Sequence, residues 1–144
     1  MSEIDLKRFR LFSELTDCDR EAVVELLEPT ELVPGRQCFR EGQEAEGLLL
    51  VDSGELRLES QRSGELGRVG EGMAIGGLSL LMVGPREVSA IATAPTRVLL
   101  LSRSAFLRLS EDQPRAGLRL AQAIVTEFAG AVRQELDRIA SVAG

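Results

Sequence analysis

The sequence predicts a mainly β fold with flanking helices: an antiparallel, jelly-roll-like β-roll preceded by short helices and closed by a long one. Three observations carry this expectation. Turn signals recur at Pro34-Gly35, Glu41-Gly42, Asp52-Ser53-Gly54, Ser63-Gly64, Glu71-Gly72 and Gly84-Pro85, and the roughly 8 to 12 residues between turns suit short antiparallel strands. Apolar residues before residue 30 and after residue 102 follow helical rather than strand spacing. The 144 residues fit one domain with a real core. The expected division is 1–29 for N-terminal helices, 30–102 for the roll and 103–144 for C-terminal helices.

In chain order, Leu6, Phe9, Phe12 and Leu15 recur at a spacing read as helical, and Thr16 with Asp19 three residues on resembles an N-cap. A second helix is expected from about Asp17 to Glu28, burying Ala22, Val23, Leu26 and Leu27. Pro29 ends it, because the residue before proline is pushed out of the helical region. GLLLVD, ELRLES, VSAIAT and TRVLLL are the clearest strands. Ser104 is expected to cap a short helix through Leu109, and Pro114 suits the first turn of a long helix reaching Val142.

That last helix carries two apolar stripes. Leu118, Val125, Val132 and Ile139 fall at seven-residue intervals, with Ala121, Phe128 and Val142 in companion positions and Glu135 as the exception. Leu120 and Ile124 lie to one side, placed to face the roll. A single broad stripe on one subunit is the simpler arrangement. The width favours a homodimer, with Leu118, Ala121, Val125, Phe128, Val132 and Ile139 in the seam.

Composition narrows the function. Seventeen Lys+Arg against 23 Asp+Glu leave a net charge of −6, which disfavours nucleic acid and anionic membranes as partners. No apolar run approaches the ~18 residues of a membrane span, and MSEIDLKRFR is too charged for a secretory signal, so a cytoplasmic protein is expected. The chain has no histidine. It therefore lacks a Ser-His-Asp or Cys-His pair and an imidazole metal site, and a cupin-like enzyme of similar architecture is left without its ligands. No catalytic residue and no metal is expected. Cys18 and Cys38 are read as reduced packing residues.

The order of helices, glycine-punctuated roll and long helix resembles cyclic nucleotide-binding domains, from about Leu11 onward. The local marks are LFSEL, Gly35, FREG around Gly42, Val51-Asp52-Ser53-Gly54-Glu55-Leu56, and IGGLSLLMVGPREVS from Ile75 to Ser89. This last stretch is similar to the family's phosphate-binding cassette. The resemblance implies a short helix starting at the glycines, with the N–H groups of Gly76, Leu78 and Ser79 aimed at a cyclic phosphate. It further implies that Arg86 supplies a permanent cation with paired donors, and that Pro85 fixes its approach. The implied ligand is cyclic AMP or cyclic GMP, and no other cofactor is expected.

Several positions depart from the family pattern. The glutamate that binds the ribose hydroxyl corresponds to Gly77, and a hydrogen bond of that kind is worth ~1.5 to 3 kcal/mol, so its loss weakens binding roughly 10- to 150-fold. The small residue after the arginine is Glu87, which strand alternation is expected to turn away from the pocket. The next alanine is Val88. The Thr-Ser pair that contacts adenine in some members corresponds to Ala131-Val132. The expected function is thus a non-catalytic regulatory or sensor module whose anion or nucleotide site, Gly76, Gly77, Leu78, Ser79, Arg86, Glu87 and Val88, is altered or weakened. The alternative is a ligand-free dimerisation or interaction module, with the glycines as turn residues and Arg86 paired to a nearby carboxylate. No helix-turn-helix follows the long helix in the chain as given, so output through contact with a protein effector is expected.

Overall fold

The structure, a computed structural model, describes residues 4–143. Two four-stranded antiparallel sheets form the roll. The first has the order β1 (Glu28–Leu32), β8 (Thr96–Ser102), β3 (Gly47–Ser53) and β6 (Ala74–Ile75). The second has the order β2 (Gln37–Phe39), β7 (Ser89–Ala92), β4 (Glu55–Ser60) and β5 (Gly64–Gly70). The α-helices of the described residues are α1 (Asp17–Val24), α2 (Arg103–Asp112) and α3 (Pro114–Ala143).

The apolar runs of β3 and β8 are explained by burial on both faces. Leu48 and Leu50, with Leu99 and Leu101, join Phe9, Phe12, Phe106 and Leu120 in a core between the first sheet and the helices. The intervening Leu49, Val51 and Val98 turn the other way and meet Phe39, Leu56 and Ala92 in a second core between the sheets. β4 instead alternates, burying Leu56 and half-burying Leu58 in that core, with Arg57 and Glu59 paired to each other. β5 has little apolar content and escaped the pattern of clear strands; its register on β4 sets it, from Glu55↔Gly70 to Ser60↔Gly64. At the β3–β4 corner Gly54 adopts φ +89°, and a Cβ there would stand 2.4 Å from the Thr96 hydroxyl, so no other residue fits.

The N-terminal segment corrects the expected first helix. Leu6–Arg8 and Arg10–Phe12 are separate 3-10 turns. Leu6, Phe9, Phe12 and Leu15 are all buried, and their uniform three-residue spacing matches the 3.0-residue period of a 3-10 turn better than the 3.6 of an α-helix. The Thr16 capping box forms as expected, with Asp19 as its reciprocal partner. α1 then stops at Val24, four residues before the expected end, because Leu26 and Leu27 donate to Val23 and Val24 and tighten the last turn. Pro29 lies inside β1, which tolerates it as an edge strand. Leu26 and Leu27 are half-buried. α2 is capped by Ser102, whose Oγ accepts from Ala105 N–H at 3.1 Å, rather than by Ser104, and it runs to Asp112. Cys18 is exposed, against the expectation of a packing role, while Cys38 is half-buried against the inter-sheet core.

α3 begins at Pro114 as expected and is docked by Ala116, Leu120 and Ile124, all buried. Arg119 adds a tether, donating to Asp19 at 2.9 Å. Burial pushes the Asp19 carboxyl up, but the bonds from Arg119 and Thr16 outweigh it and hold the group below its ordinary value. A depressed folded value means that this stabilisation is complete above the unfolded value near ~4 and is lost as pH falls through the lower folded one. Thermal unfolding of Asp19→Asn is accordingly expected to lie below the parent at pH 7, and the gap should close under acid; a pH-independent gap would remove the ion pair as its cause.

Candidate functional site

The candidate site is a cavity of about 450 Å³ between the roll and α3. All seven cassette residues identified in the sequence, Gly76, Gly77, Leu78, Ser79, Arg86, Glu87 and Val88, line it. Long-range pairing brings them together. Arg86 N–H donates to Gln43 O at 2.7 Å, Gly42 N–H donates to Arg86 O at 2.8 Å, and Ala45 N–H donates to Gly84 O at 2.9 Å. The loop around Gly42 therefore holds the main chain on both sides of Pro85.

Gly76 lies in the left-handed region at φ +80° and opens a 3-10 turn, Gly77–Leu80. A Cβ at Gly76 would stand 2.5 Å from Arg86 Nη1; the glycine lets the guanidinium lie against the main chain. The turn corrects one expected contact. Ser79 N–H donates to Gly76 O at 2.9 Å and is used within the turn, whereas the N–H groups of Gly77 and Leu78 have no main-chain acceptor among the described residues. Arg103, at the start of α2, was not legible as a site residue. Its Nε donates to Ser79 O at 2.9 Å and its Nη2 to Ala45 O at 2.8 Å, clamping two walls of the cavity.

Arg86 is 7% exposed. Its Nη2 donates to Gly47 O at 3.1 Å, and its guanidinium carbon lies 4.3 Å from the centroid of the Phe39 ring. No carboxylate forms an ion pair with it among the described residues, contrary to the alternative in which a neighbouring acid neutralises it. Burial lowers its proton affinity, opposed by Cys38 and Glu46; an arginine so placed remains a cation. The same burial pushes the Cys38 thiol up to about 11, with Arg86 acting against it. Glu87 is exposed but still lines the cavity, because residues 86–88 precede β7 and strand alternation does not govern them.

α3 supplies the remaining wall. Ile124, Glu127, Phe128 and Ala131 occupy one helical face over the cavity. Phe128, expected in the dimer seam, thus also faces the cavity, while Ala121 packs on the core of its own chain. Ala131 lines the cavity as its expected position requires; Val132 does not. A Cβ at Gly77 would stand 3.3 Å from Ile124 Cγ2. Gly77→Glu is therefore expected to push α3 outward and to cost ~1 to 3 kcal/mol, the range for overpacking. Thermal denaturation checks this through a double-mutant cycle: Gly77→Glu should cost less in an Ile124→Ala background than in the parent if Ile124 is the obstacle, and as much if the strain lies elsewhere.

By its fold the chain is a helix-flanked β-roll of the catabolite-activator type. The cyclic nucleotide-binding domain profile matches residues 29–113, and the chain belongs to that family. Catabolite activator protein from Thermus thermophilus superposes with a TM-score of 0.75 and 29% identity, over 91% of this chain and 63% of that one. The N-terminal domain of a transcriptional regulator from Streptomyces coelicolor gives 0.78 and 26%, over 89% and 95%. The cAMP-dependent protein kinase regulatory subunit of Colletotrichum orbiculare is 32% identical over 110 residues, 76% of this chain; the chain spans 28% of that relative's length. No helix among the described residues is long and apolar enough to cross a membrane.

Proposed function

We propose that this chain is a non-catalytic, cytoplasmic regulatory module that binds a cyclic mononucleotide, cyclic AMP or cyclic GMP, at an altered cassette. One observation carries the reading: Arg86 is a buried cation with no carboxylate partner among the described residues, lining a cavity beside the free N–H groups of Gly77 and Leu78. Burying a charge unpaired is costly, and an anion in the cavity supplies the missing partner. The apolar walls, Leu78, Val88, Ile124 and Phe128 among them, suit the rest of a nucleotide. Calorimetric titration with cyclic AMP, cyclic GMP and cyclic dinucleotides tests it. A cyclic mononucleotide at one site per chain is the expected result, and no heat at millimolar concentration from any of them overturns the reading.

A separate observation supports a homodimer through α3. Every residue from Val125 to Val142 is exposed, so this half of the helix has no packing of its own. Leu118, Val125, Phe128, Val132, Leu136 and Ile139 are 41–60% exposed. At ~100° per residue, Val125 stands roughly 140° round from the docked Leu120, so the two stripes need different partners. Leu136, beside the interrupting Glu135, was not foreseen; it keeps the stripe apolar there. The alternative of a ligand-free interaction module rests on this same stripe, and the titration separates the two.

A further inference from the structure

We propose that Glu44 and Glu87 set specificity by charge, admitting a ligand with one negative charge and turning away one with two or more. This rests on the reading that a cyclic nucleotide occupies the cavity, and deepens it. Arg86 and Phe39 line both that cavity and a smaller one of about 140 Å³. Glu44 and Glu46 line the smaller cavity, Glu87 and Glu127 the larger. Glu44 also faces Pro85 across an isolated antiparallel bridge, and Glu87 follows Arg86 in the chain, so the two flank the segment that carries the cation. All four glutamates are exposed, and none is ion-paired among the described residues. A single cation, itself 7% exposed, thus stands among free carboxylates.

One guanidinium balances one negative charge. The N–H groups of Gly77 and Leu78, free of main-chain acceptors among the described residues, add hydrogen bonds but no further cation. A cyclic phosphodiester carries a single charge, which this site satisfies. A phosphate monoester above neutral pH carries nearly two, and the second is left beside carboxylates that cannot pair with it. The repulsion grows in proportion to the ligand's charge, and two like charges ~8 Å apart in a hydrated setting cost about 2-fold in affinity. Salt screens exposed charges such as Glu44 and Glu87 far more than the buried contact to Arg86. The discrimination should therefore fade at high ionic strength.

The test titrates the full chain at about pH 8 with cyclic AMP and with 5′-AMP, a dianion there, using the parent and the Glu44→Gln, Glu87→Gln double variant, which keeps both side-chain shapes. Removing the two charges is expected to strengthen cyclic AMP binding roughly 5-fold and 5′-AMP binding, at twice the charge, roughly 25-fold. In the parent, raising salt from ~0.05 M to ~1 M should narrow the gap between the two nucleotides. Equal gains for both ligands, no gain for either, or a gap that salt leaves unchanged overturns the assignment and leaves the cavity reading standing. So does 5′-AMP that the variant still ignores at millimolar concentration, since shape rather than charge then excludes it. A parent that binds no cyclic AMP at millimolar concentration overturns both.

Discussion

Arg86→Ala is expected to weaken cyclic nucleotide binding by ~1.5 to 3 kcal/mol, roughly 10- to 150-fold, while leaving the ligand-free protein folded with a melting temperature within a few degrees of the parent. The two effects separate because opposing terms act on the empty protein. Removing the side chain leaves Gly47 O without its donor and Phe39 without its cation, each worth ~1 kcal/mol. It also removes a buried guanidinium that no carboxylate neutralises among the described residues, and burial of that kind is itself destabilising. In the complex nothing offsets the loss, since the ligand's anion then has only the main-chain N–H groups of the glycine turn. Titration and ligand-free scanning calorimetry on the same variant decide the matter. Unchanged affinity would remove the cassette as the site, and a large fall in melting temperature would make Arg86 chiefly a structural residue.

The Val125→Asp, Val132→Asp double variant is expected to convert a dimeric parent into folded monomers. Both positions are exposed on the single chain, at 52% and 41%, so the aspartates meet water in the monomer and cost its fold little. In a symmetric seam the same carboxylates, four per dimer, would face one another across an apolar interface without partners. Uncompensated buried charges cost several kcal/mol each by the usual measure, enough to dissociate a dimer at micromolar concentration. Sedimentation of parent and variant, with circular dichroism to confirm folding, gives the answer. A monomeric parent, or a variant that still dimerises, excludes this face as the assembly surface.

Much of the fold is determined locally and was legible in the sequence. Gly35, Gly42, Gly54, Gly64 and Gly72, at turn signals, all adopt positive φ, because a turn that needs left-handed backbone selects the residue without a Cβ. The Thr16–Asp19 cap and the Pro114 start of α3 rest on hydrogen-bonding needs within one helical turn. β3 and β8 were legible through length and apolar content. Where competing local signals differ slightly, the packed chain decided: three-residue against 3.6-residue periods at Leu6 to Leu15, and Ser102 against Ser104 at the start of α2.

The cassette divides along the same line. Its glycines, Pro85 and Arg86 fall within one stretch, Ile75 to Ser89, that was legible through its resemblance to the family's cassette, and these residues line the cavity. The covering of Gly77 by Ile124, the clamp of Arg103 on Ser79 and Ala45, and the arrival of Glu127 and Phe128 over the same cavity were decided only in the tertiary structure. These residues lie some two dozen or more positions from the groups they meet. Their placement depends on where α2 and α3 dock on the first sheet, and that follows from the shape of a core assembled from the whole chain, which no local spacing records.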